Sequence, residues 1–393
     1  MIDPRDIWLP RFIDSAPARP KRIVFTGDIL RPSPFYWRPT QHHNVRWLRN
    51  ILSHQLRAAT GLPDIAVSWG HGTLRDGGLG EMDVRALYAA FRFPPNIKSW
   101  ATIYGLEDLP PRVEAILAHL YADALVIGFE LPPYLETFLT RRGIPYVSFT
   151  IHPVRFLDDL LLGLRSNVKA IQDRLFAQAI SEPFIHMMAG IQKASAARYF
   201  PVDVKPGAAL MVMQTPHDQS QLRDGVFLTP ADFLDQIADL AAAHSEFLIK
   251  EHPIAPNPAT PILQARIPNA RMVTGNIYGF MAIPEIKTIT TLSSSVRVES
   301  EYFGVQSRAF LRDAVIVRRA KSDAENGFIG IEDAFLNSDF WRDLLDGLLP
   351  VSAPDGMRVP PKNNRLRISL RAFWNFNEID SDVAASLVKP PKS

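Results

Sequence analysis

Apolar and polar positions follow two distinct periods along the first half of the chain. Short apolar runs of strand length predict β-strands at 22–26, 64–69, 124–129 and 144–150. Between them, apolar residues fall on one stripe at helical spacing over 44–60 and 134–140, which predicts amphipathic helices. Continuous apolar strands that alternate with amphipathic helices are typical of a parallel sheet covered on both faces.

The alternation of predicted strands and helices is interrupted after the fourth strand and resumes later in the chain. Two helices are predicted at 166–180 and 183–197, and the segment 198–207, which has two prolines and no periodicity, predicts a domain boundary. After it, further strands are predicted at 208–214, 246–250, 270–274, 287–292 and 306–311. Helices are predicted between and after these strands, at 230–243, 261–265, 278–282, 294–303, 341–349 and 373–387.

The two series of strands and helices predict an α/β fold of the GT-B kind. In this architecture two Rossmann-like domains with parallel sheets face a central cleft, and ligands bind beyond the carboxyl ends of the strands. We assign the N-terminal domain to 1–204 and the C-terminal domain to 205–365. Residues 366–393 are assigned to a C-terminal helix and a tail, VKPPKS, which suits a linker to a further module.

Composition and charge narrow the class of protein. A hydrophobic fraction of 47% and a charged fraction of 21% are ordinary for a globular chain. The absence of cysteine excludes disulfides, Cys-ligated zinc and a thiol nucleophile. With 43 basic and 41 acidic side chains, the net charge of +2 gives no support for nucleic-acid binding. No apolar run reaches the length of a membrane span or a signal-peptide core, so we expect a cytoplasmic protein and leave peripheral membrane association open.

Unusual polar clusters follow three predicted strands of the second half. Their sequences are QTPHDQS at 214–220, KEHP at 250–253 and SSS at 293–295. Each cluster alone has a common structural explanation as a turn or a helix cap. Together they predict a phosphate site without a metal, because serine hydroxyls and backbone N–H groups at a helix start would act with Lys250 and His252. Asp218 adds a carboxylate suited to attack on a carbon or to proton removal.

The first half contributes polar residues at strand ends as well. Glu130 follows one predicted strand and could take a proton from an acceptor hydroxyl, while Arg155 follows another and could pair with a carboxylate of donor or acceptor. Asp28 and His71 end the other two strands, and a loop or cap role stays open for all four residues. We interpret His42, His43 and His186 as structural or surface residues.

These clusters resemble the motifs of bacterial retaining β-Kdo transferases of the KpsC/WbbB kind, glycosyltransferase families 99 and 107. The resemblance rests on QTPHDQS, on KEHP and on SSSVRVESEYFG at 293–304, and it covers about 208–310 well and the first half only loosely. The His-Pro and Ser-Ser motifs are also similar to those of GT-B sialyltransferases, which likewise use CMP-sugars.

The resemblance implies a function and a set of roles. The implied reaction moves Kdo (3-deoxy-D-manno-oct-2-ulosonic acid) from CMP-β-Kdo to a glycan or lipid-linked oligosaccharide acceptor, in lipopolysaccharide O-antigen or capsule biosynthesis. The first domain would face the acceptor and the second would bind the donor. Asp218 would be the nucleophile of a retaining double displacement and His252 would assist at the phosphate. Donor-binding or supporting roles are implied for Gln214, Ser220, Lys250, Ser293, Ser294, Ser295 and Glu299, and for Glu299 a buried structural role stays open.

Three other functions stay open at this level. A CDP-glycerol-type polyol-phosphate transferase of the teichoic-acid kind would attack phosphorus rather than carbon. An inverting CMP-nonulosonate transferase would use Asp218 as a general base. A non-catalytic sugar-nucleotide-binding or scaffold protein belongs to a different class. The segment QTPHDQS favours the Kdo transferase, for which we expect no cofactor and no metal.

Overall fold

A computed structural model describes residues 9–14, 17, 19–32, 41–68, 81–199, 203–252 and 256–370. His71, the helix predicted at 373–387 and the tail lie outside these residues. The described chain forms two large sheets with helices on both faces of each. The predicted α/β fold of the GT-B kind is therefore confirmed.

The first sheet has a parallel part and an antiparallel edge. In spatial order its strands are β13, β5, β4, β3, β1 and β2. Strands β2, β1, β3 and β4 are parallel, whereas β5 and β13 pair antiparallel at one edge. The bounds are β1 Arg22–Gly27, β2 Asp64–Val67, β3 Ala124–Phe129, β4 Tyr146–Ile151, β5 Leu162–Ser166 and β13 Ile329–Ile331.

The second sheet is parallel throughout. Its strands lie in the order β10, β9, β6, β11 and β12. The bounds are β6 Ala208–Val212, β9 Phe247–Lys250, β10 Ala270–Val273, β11 Ile286–Thr291 and β12 Gln306–Ala309. A small antiparallel hairpin, β7 Leu222–Arg223 and β8 Val226–Phe227, packs against the first domain, where Leu222 is buried and the Phe227 ring contacts Trp100.

Helices cover each sheet because their apolar stripes match the apolar strands. One face of the first sheet packs against α1, α6, α12 and α13, and the other against α2 to α5. The second sheet is covered by α7, α10 and α11 on one face and by α8 and α9 on the other. The bounds are α1 Gln41–Thr60, α2 Glu81–Phe91, α3 Ile97–Tyr104, α4 Pro111–Leu120, α5 Pro133–Arg141, α6 Lys169–Ala177, α7 Glu182–Tyr199, α8 Leu234–Ala242, α9 Thr260–Arg266, α10 Ile277–Met281, α11 Val296–Tyr302, α12 Ser338–Leu345 and α13 Arg365–Leu370.

Two sequence-based assignments need correction. The helix predicted at 166–180 starts only at Lys169, because the preceding residues form β5 and pair antiparallel with β4. The C-terminal domain does not extend to 365. From β13 onward the chain returns to the first sheet, where Phe335, Trp341 and Leu344 are buried in the core beside α1. Burial of this apolar stripe on the first sheet explains why the returning chain belongs to the first domain.

Candidate active site

A cleft between the two sheets has a cavity volume of about 260 Å³. It lies beyond the carboxyl ends of β3, β4, β6, β9 and β11, the place where ligands bind in parallel α/β sheets. Its polar lining includes Arg31, Gln41, Glu130, Thr150, Arg155, Gln214, Asp218, Ser220, His252, Ser293, Ser294, Ser295 and Asp313. The structure thus brings together most of the predicted site residues, whereas Lys250, Glu299 and Asp28 are outside this lining.

Asp218 stands at the start of a short 3₁₀ turn, Gln219–Gln221, which follows β6 after a loop. Its Oδ1 accepts a hydrogen bond of 2.9 Å from the backbone N–H of Ser220. The preceding residue, His217, has a φ of 63°, in the left-handed region that non-glycine residues seldom adopt. The carboxylate is therefore fixed at one oxygen, and its side chain lines the cleft.

A network of buried polar side chains holds this turn against the end of β11. The Oε1 atom of Gln214 accepts the backbone N–H of Ser293 at 2.8 Å, and its Nε2 donates to Oγ of Ser220 at 3.2 Å. The hydroxyl of Ser293 donates to Oγ of Ser220 at 2.9 Å. Gln214 and Ser220 thus support the segment of Asp218, and the Ser293 hydroxyl is bound within the same network.

Ser294 and Ser295 lie at the start of α11. The backbone N–H of Ser294 donates to Oγ1 of Thr291 at 3.2 Å, and its own hydroxyl oxygen accepts the N–H of Val296 at 3.3 Å. The Ser295 side chain makes no capping hydrogen bond, although Ser295 occupies the cap position. Both serines line the cleft, so the Ser295 hydroxyl is available to a ligand there.

Arg31 and Arg155 bring positive charge into the cleft, and His252 adds an imidazole. A guanidinium nitrogen of Arg31 donates to Oε1 of Gln219 at 3.3 Å, and the group lies 5.0 Å from the centre of the Trp100 ring. Sequence reasoning missed Arg31, whose only signal was its position just after the first predicted strand. Gln41 was missed as well, because nothing in its helical segment distinguishes it from a surface residue.

Glu130 faces Asp218 from the first sheet. Its φ is 51°, and its backbone N–H donates to the carbonyl of Phe149 at 2.7 Å, which fixes a sharp turn after β3. The carboxylate accepts a hydrogen bond of 3.3 Å from Nε2 of Gln41. Burial raises the pKa of Glu130, and the charge of Asp218 acts in the same direction against the neighbouring arginines. A carboxyl with a raised pKa is suited to proton transfer near neutral pH.

Lys250 and Glu299 are buried beside the cleft rather than on its surface. The ammonium of Lys250 donates to the carbonyl of Glu251 at 3.4 Å, and burial lowers the pKa of Lys250 to about 8. Glu299 accepts the backbone N–H of Arg155 at 2.8 Å and the hydroxyl of Tyr278 at 2.9 Å. Burial raises the pKa of Glu299 to about 7. Glu299 is therefore bound to groups of the protein, and its donor-binding role stays a prediction.

Asp28 and His152 are buried supports rather than cleft residues. Asp28 accepts the indole N–H of Trp100 at 2.7 Å and the hydroxyl of Tyr134 at 3.1 Å, and burial raises its pKa. Burial lowers the pKa of His152 to about 3, and its Nδ1 accepts the N–H of Val154 at 3.1 Å, so the ring is neutral at pH 7. Asp28 and His152 thus hold the loops that carry Arg31 and Arg155.

The described part of the chain lacks two features, a metal-binding cluster and a membrane-spanning helix. No group of three or more His, Asp or Glu side chains there is arranged to hold a metal ion. Among the same residues, no helix is both long enough and apolar enough to cross a membrane. The expectations of metal-independent catalysis and of a cytoplasmic location stay predictions.

No family profile matches the chain, and no curated protein matches it in sequence. Solved structures that match the chain include two transferases and an epimerase. The β-Kdo 2,7 transferase of Thermosulfurimonas dismutans KpsC is 11% identical with a TM-score of 0.34, over 60% of this chain and 80% of that one. The β-Kdo 2,4 transferase of the same protein is 14% identical with a TM-score of 0.30, over 56% and 78%.

The UDP-GlcNAc 2-epimerase of Neisseria meningitidis, solved with UDP-GlcNAc bound, is 10% identical with a TM-score of 0.24, over 73% of this chain and 81% of that one. Because all these identities are at most 14% and all the TM-scores are below 0.5, the function is inferred from the residues of the cleft.

Proposed function

We propose that this chain is a retaining glycosyltransferase that moves Kdo from CMP-β-Kdo to a glycan acceptor. The observation that carries the proposal is the meeting of Asp218 and Glu130 in one cleft. The two carboxyls come from different sheets, and basic side chains lie around them. The proposal also draws on the resemblance of the 214–304 motifs to β-Kdo transferases.

The first step would form a covalent sugar–enzyme ester. A carboxylate oxygen of Asp218 attacks the anomeric carbon, and the bond from that carbon to the phosphate oxygen of CMP breaks with its electron pair. Oδ1 of Asp218 accepts the N–H of Ser220, while Oδ2 accepts no hydrogen bond from the described residues. Oδ2 is therefore the oxygen best placed to react.

The second step would transfer the sugar to the acceptor with overall retention. An acceptor hydroxyl attacks the anomeric carbon, its proton passes to the Glu130 carboxylate, and the ester bond to Asp218 breaks. Release of the sugar restores the Asp218 carboxylate. The raised pKa of Glu130 makes it a stronger base than an exposed glutamate.

The basic residues would hold the charged donor. The anomeric carbon of a 2-keto sugar acid carries a carboxylate, so the donor presents two anionic groups close together. His252 and the start of α11 would stabilise the departing CMP phosphate. The guanidinium groups of Arg31 and Arg155 suit a carboxylate or phosphate in the same cleft.

The decisive experiment is mass spectrometry of the protein after incubation with CMP-β-Kdo. We expect a sugar attached to the peptide that contains Asp218, with more adduct in Glu130→Gln, where the second step is slowed. Asp218→Ala should form no adduct and no product. As a matched control, Asp224→Asn changes an exposed carboxylate of the β7–β8 turn and should behave as wild type.

The anomeric configuration of the product tests the retaining mechanism independently of the covalent adduct. NMR of the product should show the anomeric configuration of the CMP donor. An inverted product would favour the inverting CMP-nonulosonate transferase, in which Asp218 is a base. Full activity of Asp218→Ala would show that Asp218 is not the nucleophile.

A further inference from the structure

The segment between β4 and β5 leaves the first sheet and enters the core of the second domain. Val154, Phe156 and Leu157 are buried there among residues of β6, α10 and α11. Arg155, which lies between them, lines the cleft. Arg155 therefore belongs to a segment of the first domain whose flanking residues are anchored in the core of the second domain.

The Nε atom of Arg155 is buried and has no hydrogen-bond partner among the described residues. A buried donor left without an acceptor costs about 1–3 kcal/mol, so such groups are rare in folded proteins. Because Arg155 also lines the cleft, its side chain is open to an anionic ligand there. This observation points to Arg155 as a residue that awaits a ligand.

Both backbone polar groups of Arg155 are held by buried charged side chains from other parts of the chain. Oε1 of Glu299 on α11 accepts the N–H of Arg155 at 2.8 Å. Nη2 of Arg367 on α13 donates to the carbonyl of Arg155 at 3.1 Å and to the carbonyl of Leu157 at 3.2 Å. Arg367 is fully buried, and Glu299 is 2% exposed.

Helix α13 is fixed to this segment by further contacts. The Asp159 carboxylate accepts the backbone N–H groups of Leu366 at 2.8 Å and of Arg367 at 3.0 Å. The indole N–H of Trp47 donates to the hydroxyl of Ser369 at 2.9 Å. The start of α13 and the segment of Arg155 therefore hold each other in place, although they are far apart in sequence.

The charges of Arg155 and Arg367 both act on Glu299. They lower its pKa, although burial has the larger, opposite effect.

We infer that Arg367 and Glu299 are positioning residues that hold Arg155 ready to bind an anionic group of the donor. The chemistry recognised is that of a carboxylate or phosphate oxygen, for which a guanidinium is suited. The inference rests on the proposed function in so far as the donor is a sugar nucleotide. It assigns a role in donor binding to the C-terminal helix α13, which does not itself touch the donor.

The test is a double-mutant cycle read by calorimetry with CMP-β-Kdo, CMP and inorganic pyrophosphate. Arg367→Lys keeps the charge but loses the forked contact with two carbonyls. We expect it to weaken anion binding about tenfold, which is within the range of coupling between contacting residues. In an Arg155→Met background the same change should have no further effect, because Arg367 acts through Arg155.

A matched control separates positioning from general destabilisation. Arg342→Lys changes another buried arginine, on α12, which binds Asp355 and the carbonyl of Ala58 and does not line the cleft. It should lower the thermal stability while leaving anion affinity unchanged. If Arg367→Lys does not fold, Glu299→Gln takes its place in the cycle, because it removes the charge and keeps an acceptor atom.

The three ligands distinguish the outcomes. A loss confined to CMP-β-Kdo assigns Arg155 to the sugar carboxylate, and an equal loss for all three assigns it to phosphate. If Arg367→Lys lowers the affinity equally in the wild-type and the Arg155→Met backgrounds, the inference is overturned and the proposed function is left intact. If CMP or pyrophosphate binds but CMP-β-Kdo does not, the proposed donor is contradicted. The double-mutant cycle is then completed with the anion that binds. Absence of binding by all three would contradict both.

Discussion

The two walls of the cleft are built in different ways. The wall from the second sheet is a continuous hydrogen-bonded network in which Gln214, Ser220 and Ser293 join two strand ends. The wall from the first sheet consists of single charged side chains, Glu130 and Arg155 among them, held by contacts from distant parts of the chain. One wall is a connected network of neutral side chains, and the other is a set of charged side chains that are held separately.

This difference suggests a division of labour. The second wall fixes the turn that carries Asp218, so it would determine where the sugar is attacked. The first wall carries Glu130, the proposed base, together with Arg31 and Arg155, so it would determine whether the acceptor reacts and how the anionic groups are held. Variants on the two walls should therefore fail in different ways.

Apart from loss of the proposed Asp218 nucleophile, the largest effect is expected from the first wall. Glu130→Gln removes the proposed base, and we expect the turnover rate to fall about 10²–10⁴-fold with little change in CMP affinity. In wild type the rate should rise with pH through the pKa of Glu130, which burial raises, because only the carboxylate accepts the proton. Steady-state kinetics from pH 4 to 9 would show this rise, and the variant should lack it.

Glu114→Gln is the matched control, because Glu114 forms an exposed ion pair with Arg142 away from the cleft. It should keep the rate and the pH profile of wild type. An unchanged rate in Glu130→Gln would show that the first wall contributes charge and shape but no proton transfer.

A smaller effect is expected at the proposed phosphate site of the second wall. Hydrogen bonds to charged groups contribute about 1.5–3 kcal/mol, so His252→Ala should weaken CMP binding by about tenfold or more. Calorimetry with CMP measures this directly. His186→Ala, an exposed histidine on α7, should bind CMP as wild type does. Equal affinity in both variants would exclude His252 from the phosphate site.

The next effect concerns stability rather than binding. Gln214→Leu leaves the backbone N–H of Ser293 buried without its acceptor, so we expect a loss of about 1–3 kcal/mol in the free energy of unfolding. Gln221→Leu removes one hydrogen bond, from Nε2 to the carbonyl of Thr215, and should cost less. Urea unfolding compares the two variants. Equal losses would mean that the network adds nothing to local order.

The contrast between the walls also explains what the sequence could predict. Polar residues of the second wall follow apolar strands within a few positions, so strand prediction alone brought Gln214, Asp218 and the serines together. Arg31 and Gln41 join the cleft only through the folding of the first domain, and no periodicity marks them. The return of β13 to the first sheet was missed for the same reason, because a three-residue edge strand far along the chain carries no local signal of its partner.

For Lys250, the role that the motif implies and the position in the structure disagree. Its substitution is expected to have the smallest effect on CMP binding. The resemblance implies that Lys250 lies near the phosphate, whereas the structure buries it outside the cleft lining. Lys250→Met should therefore leave CMP affinity unchanged. It should also change the pH dependence of stability, because burial lowers the pKa of Lys250 to about 8.

The direction of that change follows from proton linkage. Between pH 8 and the unfolded pKa of 10.5 the unfolded chain binds the proton and the folded chain does not, so the Lys250 contribution raises wild-type stability with pH. The slope is at most about 1.4 kcal/mol per pH unit for one proton. Lys250→Met should lack this contribution, as urea unfolding from pH 7 to 10 would show. A tenfold loss of CMP affinity would instead place Lys250 on the donor and make the second wall a charged surface like the first.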